Sequence, residues 1–161
     1  MSVRQSLPAA FLLLASTACF GNSPAVQMSD QDMTLNSRWH ANLASPADLA
    51  GAVQMSGSAS MAPSPDSAST HITLNLANAA PGGQHPWAVR WGQCGSGKSS
   101  AVFGSTESYR PLEVDSKGHA NANASAQLRT PSAGSYFVVV YASAANSETV
   151  VACGNLAPPT Q

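Results

Sequence analysis

From Gly92 to Ser99, the stretch WGQCGSGKSS fits the spacing G-x-x-x-x-G-K-[ST] of a phosphate-binding loop. That chemistry needs a strand feeding a glycine-rich turn that opens a helix. Backbone N–H groups and the helix N-terminus then hold the phosphates, with a lysine charge and a hydroxyl ligand for Mg²⁺. WAVRW supplies the strand, but SSAVFGSTESYRP beyond the lysine carries Val102, Gly104, Thr106 and Pro111, which are poor helix formers. No apolar strand ending in Asp follows to complete a magnesium site. The stretch reads as a glycine-rich turn after a strand, and no nucleotide is expected as partner or cofactor.

The other chemistry-bearing residues are sparse. His40, His71, His85 and His119 show no i, i+2 or i, i+4 pairing, so no working metal site is expected. No G-x-S-x-G occurs, and no spacing singles out a catalytic triad. Trp39, Trp87 and Trp91, together with Arg90, are the candidates for an interaction surface toward a sugar, a lipid or an anion; the competing role for such tryptophans is the core. Cys19, Cys94 and Cys153 make an odd count. Setting Cys19 aside leaves Cys94 and Cys153 as an oxidisable pair.

The elements that position these residues are short strands. THITLNLAN alternates Ile72, Leu74 and Leu76 with polar residues, and WAVRW puts Trp87, Val89 and Trp91 on one face with Ala88 and Arg90 on the other. HANANASAQL sets Ala120, Ala122, Ala124, Ala126 and Leu128 against a polar face, which predicts close packing of another layer on the alanines. SYFVVVYAS and ETVVACG are β-branched runs of strand length. Tyr136 and Phe137 point to opposite faces, so at least one of them belongs to the core. RWHANLA, AVQMSGSASM and PLEV are weaker strands, and Ser45–Gly51 is the one helical turn, with Ser45 as its cap. Seven or eight strands without long helices predict an all-β antiparallel sandwich or barrel.

The N-terminus carries Arg4, an apolar run from Leu7 to Ala15 and the small residues Ser16-Thr17-Ala18, which is the order of an export signal over 1–18. Cys19 directly after it resembles the acylated cysteine of bacterial lipoproteins. Residues 19–36 then read as a lipidated start and tether, 37–156 as the folded domain and 157–161 as a tail. Charged residues make up 9% of the chain; removing 1–18 takes Arg4 away and leaves six basic against eight acidic side chains, so nothing points to nucleic acid.

GGQHPWAVRWGQC and NSETVVACGNL are similar to the strand-to-cysteine and terminal cysteine segments of Cu/Zn superoxide dismutases, and PLEVDSKGHANANASAQL and YFVVVYAS to strands between them. The resemblance covers about residues 37–156. It implies an eight-stranded Greek-key β-sandwich with a Cys94–Cys153 disulfide, and a turn-stabilising hydrogen bond for His85. It also implies that the metal-ligand positions are occupied by Ala88, Arg90 and Tyr141, and the anion-guiding arginine position by Val150. No histidine lies between Cys94 and Lys117. The expectation is a metal-free, cofactor-free, non-catalytic lipoprotein of the periplasm or cell envelope. It would dock as an accessory subunit on the extracytoplasmic face of a membrane complex, respiratory or photosynthetic. The alternative is a binding module using the Trp/Arg surface, and a rebuilt metalloenzyme comes third. An exposed apolar patch including Trp39 or Trp91 would favour docking; a concave pocket around Arg90 would favour ligand binding.

Overall fold

The computed structural model describes residues 38–49, 54–95 and 100–159. The expected signal 1–18, the acylation site Cys19 and the tether 19–36 lie outside the described residues, as does the Ser96–Ser99 part of the glycine-rich turn.

Nine strands form among the described residues: β1 (Trp39–Ala44), β2 (Ser56–Pro63), β3 (Thr70–Ala77), β4 (Gln84–His85), β5 (Trp87–Trp91), β6 (Leu112–Glu113), β7 (Ala120–Ala126), β8 (Tyr136–Tyr141) and β9 (Val150–Leu156). Seven of them pair antiparallel in one curled sheet in the order β5, β8, β9, β1, β2, β3, β7, while β4 and β6 make a small second sheet. Strands β1, β2 and β3 follow one another as neighbours, and the last strand, β9, lies beside β1. The fold is all-β, as the strand pattern predicts.

Period-2 alternation does most of the positioning. In β1, Trp39, Ala41 and Leu43 point inward; in β3, Thr70, Ile72, Leu74 and Leu76 do. Across the β3–β7 ladder, large residues meet small ones: Ile72 faces Ala124 and Leu76 faces Ala120. The alanines let the curled sheet close over the core, into which the long β5–β7 connection adds Phe103, Tyr109, Leu112 and Val114.

Two local expectations are corrected. Leu128 does not continue the alanine face: β7 ends at Ala126, paired with Thr70 at the start of β3, and Leu128 is 44% exposed beyond the last ladder pair. Ser45 does not cap a helix. A short 3₁₀ turn forms at Ala47–Leu49, but the Ser45 hydroxyl donates to Val151 O (2.8 Å) and accepts from Met55 N (2.9 Å), tying the end of β1 to β9 and to the approach to β2. Ala157, at the start of the expected tail, is still paired, with His40.

Candidate functional site

Every residue of β8 from Tyr136 to Val140 is buried, so both faces of this strand are covered. Tyr136, Val138 and Val140 belong to the core, whereas Phe137 and Val139 point to the other side of the sheet. Directly paired residues of an antiparallel sheet share a face. Arg90 therefore lies beside Phe137, which faces Asn155, and Ala88 lies beside Val139, which faces Cys153 and then Ala44.

The chain after β5 folds over this outer face. Gly92 turns it at φ 105°, a left-handed conformation that glycine adopts without strain, and its N–H donates to Ser135 O (2.8 Å). The Cys94 N–H donates to the Asn155 side-chain oxygen (2.8 Å), and Cys94 is bonded to Cys153. The disulfide implied by the resemblance is thus formed. From Ser100 the chain runs back beside β5: Trp91 N–H donates to Ala101 O and Phe103 N–H to Val89 O. No α-helix forms across residues 100–108, so the helix that a phosphate-binding loop requires is not built there.

Between this turn and the sheet lies a concavity of about 530 Å³. Phe137, Val139, Val150 and the disulfide line its apolar part; Arg90, Tyr141 and Glu148 supply the ionisable side chains. Ser45 also borders it, but its hydroxyl is already used twice. The Arg90 guanidinium lies 6.0 Å from the centre of the Tyr141 ring, and one of its terminal nitrogens donates to Ser100 O. Its Nε is buried and has no hydrogen-bond partner among the described residues. Glu148 is exposed, at the rim.

The four residues proposed for an interaction surface separate. Trp39 is fully buried, with its indole N–H donating to Pro131 O (2.9 Å) and its ring edge-on to Tyr136. Trp87 is 3% exposed, donates to Arg110 O (2.7 Å) and stands edge-on to Tyr109. Both are therefore core residues rather than surface ones: each indole finds a carbonyl inside, which removes the penalty of burying its polar edge. Trp91 is 46% exposed and packs on Tyr136. It lies on the opposite face of β5 from Arg90, so the two do not form one patch.

The histidines also disperse. His85 is buried and its Nδ1 lies 3.0 Å from Tyr141 O; because a carbonyl only accepts, Nδ1 carries the hydrogen, and the ring fastens the turn between β4 and β5 to the end of β8. His40, His71 and His119 are exposed. Among the described residues, no three His, Cys, Asp or Glu side chains gather where they could hold a metal. Sequence reasoning missed Phe137, Val139 and Val150 as site residues; the available signal was the run YFVVVY, apolar on both faces of a strand. No family model matches the chain, and no curated protein is significantly similar to it.

Proposed function

We propose that this protein is a non-catalytic ligand-binding module of the cell envelope, tethered through an acylated Cys19, with its ligand site on the outer face of β5, β8 and β9. The observation that carries this reading is the concavity around Arg90. At about 530 Å³ it falls within the ~300–1,000 Å³ typical of small-molecule sites, and it combines apolar walls with few polar groups. The resemblance to Cu/Zn superoxide dismutases supports the same place: Ala88, Arg90 and Tyr141, at the family's metal-ligand positions, and Val150 all belong to this part of the sheet. An arginine and two hydrocarbon side chains there suit an organic ligand better than a cation. Docking as an accessory subunit has less support, because Trp39 and Trp87 are in the core and Trp91 stands away from Arg90.

The test is binding of a neutral, environment-sensitive apolar dye, N-phenyl-1-naphthylamine, to the mature protein. Saturable one-to-one binding is expected, abolished by Val150→Trp, which places an indole in the pocket without touching the core side of β8. Equal dye binding by wild type and a folded V150W protein would overturn the assignment.

A further inference from the structure

We infer that the pocket selects an amphipathic anion: an apolar body seated against Phe137, Val139 and Val150, with a carboxylate or similar oxyanion directed at the Arg90 guanidinium. The inference rests on the ligand-binding reading and adds the chemical class of the ligand.

Arginine stays charged at all accessible pH and carries five N–H donors. Among the described residues, the partners of this guanidinium are one carbonyl oxygen, that of Ser100, and one ring face, that of Tyr141. Neither carries a formal charge, and Nε, enclosed by protein, has no acceptor. A cation held by neutral groups beside apolar walls is incompletely compensated, because charges removed from water are ordinarily paired. The low local dielectric that makes this arrangement costly also strengthens its attraction for an anion entering the same space.

Two other ligand classes fit less well. A cationic ligand would meet Arg90 inside the pocket; the opposing carboxylate, Glu148, is exposed at the rim, where water and salt weaken its field. A wholly neutral ligand would remove water from the guanidinium and return no charge to it. The apolar lining, in turn, disfavours a small inorganic anion, which would leave Phe137 and Val139 without contact.

The experiment compares three probes with one aromatic body and different charge: 2-naphthoate, 2-naphthylmethanol and 2-naphthylmethylammonium, titrated calorimetrically into the mature, oxidised protein. Naphthoate is expected to bind about ten- to a hundredfold more tightly than the alcohol, the range of one charge-assisted hydrogen bond, and the ammonium compound most weakly. In Arg90→Gln, the ratio of naphthoate to alcohol affinity should fall to about one, with circular dichroism and the melting curve reporting that the variant is folded. Arg90→Lys should recover part of the preference. Alcohol binding equal to or tighter than naphthoate, or a preference for the ammonium compound, would overturn the anion assignment and leave the pocket assignment standing. No binding by any of the three, with the neutral dye also unbound, would overturn both.

Discussion

Cutting the Cys94–Cys153 bond should cost the domain a large share of its stability margin. The cysteines are 59 positions apart, and closing a loop of that length restricts the unfolded chain by about 14 cal/mol/K on the chain-entropy relation, or ~4 kcal/mol at 25 °C. A typical domain has only ~5–15 kcal/mol in total. With residues 38–159 as the cooperative unit, unfolding entropy is about 250 cal/mol/K near the midpoint, so the loss corresponds to a fall in Tm of roughly 15 °C. The native state adds a local consequence. Without the disulfide, the described tether of Cys94 to β9 is the hydrogen bond from its N–H to Asn155, and one such bond has a net worth of about 0.5–1.5 kcal/mol. The turn would then lift from the outer face and expose Phe137 and Val139 before the core unfolds. The assay is calorimetry of wild type and of the Cys94→Ser/Cys153→Ser protein, with amide exchange on β8 and β9. Equal melting temperatures would refute the loop-entropy argument. A large fall in Tm with unchanged exchange at Phe137 and Val139 would refute the clamping role alone.

Four further outcomes follow from individual contacts. Gly118 has φ +81°, and a Cβ there would lie 2.7 Å from Ala79 O, so Gly118→Ala should destabilise by about 2 kcal/mol in urea unfolding. The Asp115 carboxylate accepts the N–H groups of His119 and Lys117, which hold its pKa below the ordinary value. A lowered folded-state pKa gives stability that is present above the unfolded value, near 3.9, and lost as pH falls through the folded one, so Asp115→Asn should flatten the acid limb of the stability profile. Burial pushes the Tyr109 phenol well above its usual range, and its hydroxyl donates to Phe103 O (2.6 Å). The raised pKa gives stability complete below pH ~10 and lost as pH rises beyond it, so Tyr109→Phe should remove part of the alkaline decline while costing about 1–3 kcal/mol at neutral pH for the orphaned carbonyl. Leu74→Ala, at a fully buried position, should cost ~2–5 kcal/mol in the same unfolding assay.

The strands were legible because one physical rule, alternation about a half-buried sheet, acts residue by residue. Ile72, Leu74 and Leu76 reveal their face without any partner being known, and so do the alanines of β7. Leu128 shows where the rule stops: a periodic pattern cannot say where pairing ends, because that depends on where the neighbouring strand begins. Ser45 shows the same limit for side-chain hydrogen bonds, since its partner Val151 is 106 positions away. The destiny of the tryptophans was only half visible. Trp39 and Trp87 are in phase with inward neighbours, but their burial also needed carbonyl acceptors from Pro131 and Arg110, which no local reading supplies. The pocket was least legible. Its residues come from four strands and the connections beside them, and only the register of β5 on β8 on β9 brings Arg90 beside Phe137.

What the register adds is an asymmetry between the two halves of the curled sheet. The outward side of β1, β2 and β3 carries His40, Asn42, Ser60, Thr73 and Asn75, polar groups that water solvates well. A sheet of this kind needs only one apolar face. The half containing β8 departs from that pattern, with Phe137 and Val139 pointing away from the core and yet almost fully enclosed. Burial of an outward Phe and Val demands a covering layer, and the layer described is thin: a turn pinned by a disulfide and a hydrogen bond, with about 530 Å³ left open beside it. If the turn served stability alone, filling that space with hydrocarbon would be favourable at about 25 cal/mol per Å² of apolar surface covered, and a side chain larger than Val139 or Val150 would do it. An arginine at the same wall works against such closure, because its charge needs either water or an anion. Apolar walls held apart by a clamp, with a cation between them whose partners among the described residues are neutral, are the features on which the proposed ligand site rests.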